Sequence, residues 1–194
     1  MDGDLLRPNE RGRERADAAR NRARILAAAE ELFATRSAQS VTMEDIAKAA
    51  GVGRATLYRR YPDRASIATA LLDEHERALQ EKLLRGDPPL GPGAPPAERL
   101  AAFYEAMVDL LERHIHLVLG AEVGRSRFET GAYGFWRAHV RSLLAESSLA
   151  DPESLTDSLL APLAPEVFRH QHETLGMETK RIKAALAALA RRIL

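Results

Sequence analysis

The 194-residue chain has no cysteine and one tryptophan, and aromatic residues make up 5% of it. Without thiols it can build neither a disulfide framework nor a thiolate zinc site. No stretch approaches the ~20 consecutive apolar residues of a membrane span. The N-terminus has no apolar run of signal-peptide length, so a cytoplasmic protein without a membrane partner is expected. Strand-like alternation and internal repeats are missing. There is no phosphate-cradling glycine loop, GxSxG or HExxH, and serines such as Ser126 and Ser142 have no recognisable partner base. Neither an enzyme nor a cofactor is therefore expected. Glu166 and His170, at i and i+4, are too little for a metal site, while His170/His172 and His114/His116 sit at i,i+2 and point apart on a helix. Net charge is +0, which excludes a global field that would draw the protein to nucleic acid.

What is present is helical. Hydrophobic residues make up 45% of the chain, with alanine, leucine and arginine prominent, which predicts an all-α protein. The charge that exists is local. Seven arginines between Arg7 and Arg24 face only Glu10, Glu14 and Asp17. They adjoin the most informative stretch, TMEDIAKAAGVGRATLYRRYPDR, residues 42–64.

In that stretch Thr42 can cap a helix, with Asp45 three residues on as a capping-box partner. Met43, Ile46, Ala47 and Ala50 fall on one face. Gly51 suits the left-handed position after a helix, Val52 plugs the turn, and Gly53 is a weak N-cap for a second helix over residues 54–61. Asp63 can cap the next. Helix, glycine turn, helix is a helix-turn-helix pattern. On the second helix Leu57 and Tyr61 point inward. Ala55, Thr56 and Arg59 point outward, with Tyr58 and Arg60 on the flanks. Thr and Arg can read base edges, whereas Tyr58, Arg60 and Arg64 suit phosphates, which fix position.

Residues 25–72, with ILAAAEELFATR and then VTMEDIAKAAGVGRATLYRRYPDRASIATALL, resemble the DNA-binding domain of the TetR (tetracycline repressor) family of bacterial transcription regulators. The Thr-Leu-Tyr followed by an aromatic and a basic residue is the most specific marker. The resemblance implies DNA contacts from Thr42, Arg54, Ala55, Thr56, Tyr58, Arg60 and Arg64. Gly53 departs from the usual Ser or Thr cap, and Arg64 from the usual Lys.

The rest of the chain orders itself around this reader. Residues 1–16 are expected to be a flexible basic arm and residues 17–63 the DNA-binding domain. Its first helix carries the stripe Ile25, Ala28, Ala29, Leu32, Phe33, with Phe33 buried against Ile46 and Leu57, and Arg20 to Arg24 facing phosphates. Residues 64–85 form a linking helix with Ile67, Ala70, Leu71, Glu74, Ala78 and Leu79 on one side. Residues 86–96, rich in proline and glycine, form a loop.

Residues 97–194 are expected to form a second helical domain, with helices at 97–118 and 131–148, a short one within 114–130, one opened by Asp151-Pro152 and broken by Pro162 and Pro165, and a last one at 178–193. Phe103, Met107, His114, Arg125, Trp136, His139 and Phe168 are candidates to line a ligand pocket, since such pockets are apolar with a few placed polar groups. The last two helices should each carry an apolar stripe and could pair with their copies in a four-helix homodimer interface.

The sequence thus predicts a homodimeric DNA-binding regulator, a repressor released from a palindromic operator by a small-molecule effector. The alternative is a regulator without such a switch, constitutive or protein-controlled.

Overall fold

Apolar residues at three- and four-residue spacing become helices throughout the chain, and every long regular element among the described residues is one. The computed structural model describes residues 8–36, 40–121, 128, 130–147, 149 and 151–194. It divides into two units, Met1–Leu71 and Leu72–Leu194.

The first unit holds α1 (Pro8–Thr35), α2 (Met43–Ala50), α3 (Arg54–Arg60) and the start of α4 (Arg64–Arg85). Its core is Ile25, Leu26, Ala28 and Ala29 of α1 with Val41, Ile46, Ala47, Ala50, Leu57, Tyr61 and Ile67. α1 starts earlier than expected, so residues 8–16 are helix and not arm, and residues 1–7 lie outside the described residues. Proline is tolerated in a first helical turn. The residues after it are mainly Glu, Arg and Ala, which favour helix without leaving an apolar stripe to detect. Phe33 is only half-buried, because the buried face of α1 runs through Leu26 instead.

The second unit is built on α5 (Pro96–Ala121), which packs along α9 (Thr179–Ile193), with α6 (Gly131–Ala145), α7 (Pro152–Leu160) and α8 (Pro165–Arg169) around it. The apolar core joins Leu100, Phe103, Tyr104, Met107 and Leu111 of α5 to Trp136, Val140, Leu143 and Leu144 of α6 and Ile182, Leu186 and Ala190 of α9. Tyr104 donates to the Leu159 carbonyl at 2.8 Å, which satisfies its buried hydroxyl. Thr130 caps α6 through the Tyr133 amide, and Asp151 caps α7 through the Ser154 amide with Pro152 in the first turn.

Several local expectations change. On α4, Glu74 and Ala78 are exposed, and the buried face continues as Leu72, Glu76, Leu79 and Leu83. α5 does not stop before residue 120 but runs to Ala121 across a break at His114 (φ −128°, ψ 17°). Of the stretch 114–130, where a short helix is expected, residues 114–121 belong to α5, and residues 122–127 and 129 lie outside those described. The penultimate long helix is split: a 3₁₀ turn, Ala161–Leu163, separates α7 from α8, and a π turn, His170–Thr174, follows. Proline has no N–H for the helical ladder, so Pro162 and Pro165 each fall within the first two residues of a new short element. The π turn also removes the α-helical spacing assumed for His170 and His172. The stripe of α9 is directed at α5 of its own chain.

Candidate functional site

α2 and the turn that follows it are fixed by two local devices. Thr42 and Asp45 close a capping box: the Asp45 amide donates to Thr42 Oγ1 at 3.1 Å and the Thr42 amide to Asp45 Oδ2 at 3.0 Å. The Thr42 amide, and then the Thr42 hydroxyl at 2.8 Å, donate to the Asp45 carboxylate and hold it below the usual carboxylate range. Gly51 adopts φ 60°, ψ 39°, and the Gly51 and Val52 amides donate to the Lys48 and Ala47 carbonyls, a Schellman ending. α3 then begins at Gly53 with no side-chain cap.

This places the side chains of α3 (RATLYRR) as the spacing predicts. Leu57 is buried, as is Tyr61 just beyond the helix, while Ala55, Tyr58, Arg59 and Arg60 are exposed and Thr56 is partly so. No carboxylate lies on α3 itself. Glu44 of α2, however, forms an ion pair with Arg54. No short-range pattern signals a pair that spans two helices.

The arginines of α1 and α4 are drawn into the unit more than expected. Arg22 donates to the Tyr61 hydroxyl at 3.2 Å and Arg24 to the Gly51 carbonyl at 3.0 Å. Arg60 reaches back to the Ala18 carbonyl at 3.2 Å. Arg64 is partly buried and donates to the Val41 carbonyl at 2.9 Å, tying the start of α4 to the approach to α2. Arg22, Arg24 and Arg64 therefore orient the reader as well as carrying charge.

A seven-residue helix with hydroxyls and guanidinium groups outward, braced from behind, is suited to lie in a major groove. The family model for bacterial regulatory proteins of the tetR family matches residues 25–71. The N-terminal domain belongs to the TetR family. An HTH-type transcriptional regulator of Mycobacterium tuberculosis, itself uncharacterized, is 46% identical over 61 residues, 31% of this chain and 30% of that protein. TtgR of Pseudomonas putida, also an HTH-type transcriptional regulator, is 40% identical over 65 residues, 33% of this chain and 31% of its own length. The chain therefore matches only about a third of the length of these relatives.

Solved structures extend the fold likeness to both units. A transcriptional regulator from Aquifex aeolicus VF5 has a TM-score of 0.60 at 18% identity, covering 90% of this chain and 99% of that one. SmeT in complex with triclosan has a TM-score of 0.61 at 16% identity, covering 88% and 89%.

The second unit gathers some of the expected ligand residues and separates others. Phe103, Met107, His114, Trp136, His139 and Phe168 are all buried. Phe103 brings two of them together, its ring lying 5.8 Å from Trp136 and 5.3 Å from His139. His114 instead stacks on His75 at 4.1 Å, and Phe168 on His172 at 5.5 Å. Arg125 lies outside the described residues. Burial, with Arg99 adding to it, pushes the His139 imidazole down to about 4. Burial and then the neighbouring His75 do the same to His114.

An open cleft of about 490 Å³ lies elsewhere, lined by Phe128, Tyr133, Gly134, Arg137, Asp157 and Ala161. Asp157 accepts from the Tyr133 hydroxyl at 2.8 Å and from Arg137 Nε at 3.2 Å, and Glu153 pairs with the same arginine. Asp157 has no sequence signature, since its partners are about twenty residues away on α6.

Proposed function

We propose that the chain is a transcription regulator that binds an operator as a homodimer, one α3 helix per major groove, and that a small effector held by the second unit releases it. The observation that carries the DNA reading is the outward face of α3. Thr56 and Arg59 are the base-reading candidates, with Ala55 beside them. Thr42, Arg54, Tyr58, Arg60 and Arg64 are the positioning set. Thr42 and Arg64 combine that role with the internal bonds described above.

The effector reading rests on the fold likeness to ligand-bound SmeT and on the buried aromatic cluster around Phe103. Repression is the sign that NalD, a structural neighbour described as a secondary repressor of an efflux pump, would suggest. Release requires that the effector prefer a conformer with the wrong reader separation. DNA must then weaken effector binding by the factor by which the effector weakens DNA binding.

Fluorescence anisotropy with the DNA flanking its own gene and random duplex libraries tests this. A specific-to-scrambled ratio of roughly a thousand or more, saturating at two chains per site, is expected. Equal, weak binding to every duplex would contradict the reading.

A further inference from the structure

Two buried polar atoms, Arg99 Nε and His139 Nε2, lie beside the aromatic cluster of the second unit. Arg99 sits in the first turn of α5, one turn before Phe103, with its side chain only 13% exposed. Its Nη1 reaches the half-exposed Glu146 at 3.7 Å, but its buried Nε meets no hydrogen-bond partner among the described residues. His139, on α6, is 9% exposed, and its Nε2 is likewise buried without a described partner. Arg99 and Phe103 lie four residues apart on one face of α5, and the Phe103 ring is 5.3 Å from that of His139, so both groups flank the same aromatic side chain.

Leaving one such group unsatisfied costs about 1–3 kcal/mol; Arg99 Nε–H can only donate, and His139 Nε2 donates in its Nε2–H tautomer, so a single acceptor from outside the chain would satisfy both. The charge of that acceptor is bounded. One guanidinium, already within 3.7 Å of the half-exposed Glu146, beside a neutral imidazole has charge left for at most a monoanion, not a dianion. The planar fork of arginine matches a carboxylate. The side chains beside them, Phe103 and Trp136, are apolar and aromatic.

We propose that Arg99 and His139 bind the carboxylate of a small hydrophobic monoacid, whose apolar body lies against Phe103 and Trp136. This deepens the effector reading above and rests on it for its regulatory meaning, not for the binding itself.

Calorimetric titration of the full chain with phenylacetate and with neutral phenylacetamide tests it, with Arg99→Gln and the charge-retaining Arg99→Lys as variants. Saturable binding of the acid, about tenfold or more tighter than the amide, is expected from one charge-assisted bond. Arg99→Gln should remove that preference, leave the amide unaffected and lose it further than Arg99→Lys does. Equal affinity for acid and amide, no saturable binding of the acid, or an unchanged preference in Arg99→Gln would overturn the proposal. If phenylacetate binds through Arg99 but leaves DNA affinity unchanged, the site stands and the effector reading falls. If neutral compounds release DNA while the acid does not bind, the reverse holds.

Discussion

Gly51→Ala isolates what holds the reader in place. Gly51 has φ 60°, where an L-residue with a Cβ is disfavoured by about 1–2 kcal/mol. A Cβ there would also come within 2.5 Å of Arg24 Nη2. That atom is the tip of a flexible, exposed side chain. Moving it costs no more than its bond to the Gly51 carbonyl, about 0.5–1 kcal/mol net. Backbone strain therefore dominates, and Gly51→Ala should destabilise α2 and α3 by about 1–2 kcal/mol even in an Arg24→Ala background. Gly51→Asn should recover much of this, because Asn tolerates the left-handed region. Amide hydrogen exchange of α2 and α3 reads the effect locally, as an acceleration of roughly tenfold for Ala. If Asn and Ala accelerated exchange equally, or if Arg24→Ala abolished the effect of Gly51→Ala, the strain account would fail and the collision would be the cause.

Four further outcomes follow from the same structure. Thr42→Ala should lower stability by about 1 kcal/mol through loss of the N-cap, seen as a lower urea midpoint. Because the folded Asp45 carboxyl titrates below its ordinary value, its contribution should be complete above that value and fade as pH falls through the depressed one, a fall absent in Asp45→Asn. His139 titrates at about 4 when folded against about 6.5 in the open chain, so the unfolded state binds more protons between those values. Stability should decline as pH drops across that window, and His139→Gln should flatten the decline in urea midpoints. Phe103→Ala should cost about 3–5 kcal/mol and shift the emission of Trp136, the single tryptophan, whose ring lies 5.8 Å away.

The helix-turn-helix was legible because its determinants are local. Thr42, Asp45, Gly51 and Gly53 each act within a few residues, and Leu57 and Tyr61 follow simple helical spacing. The early start of α1 was not legible, because a helix of Arg, Glu and Ala has no apolar stripe to reveal it. In the second unit apolar spacing picked out most of the buried residues, although Ala185 on α9 is exposed, but could not say which of them meet. Phe103 with His139 is a packing outcome, and so is His114 with His75. Arg99 escaped notice because an arginine in a first helical turn reads as solvent-facing until its burial is known. The split of the penultimate helix was signalled by Pro162 and Pro165, but the π turn after it was not.

Methylation interference on a selected duplex tests the central claim, that α3 reads the major groove, most directly. Methylation of guanine N7, which lies in the major groove, should abolish binding at two clusters about 34–36 Å apart, one helical turn. Interference confined to adenine N3 in the minor groove would contradict the account.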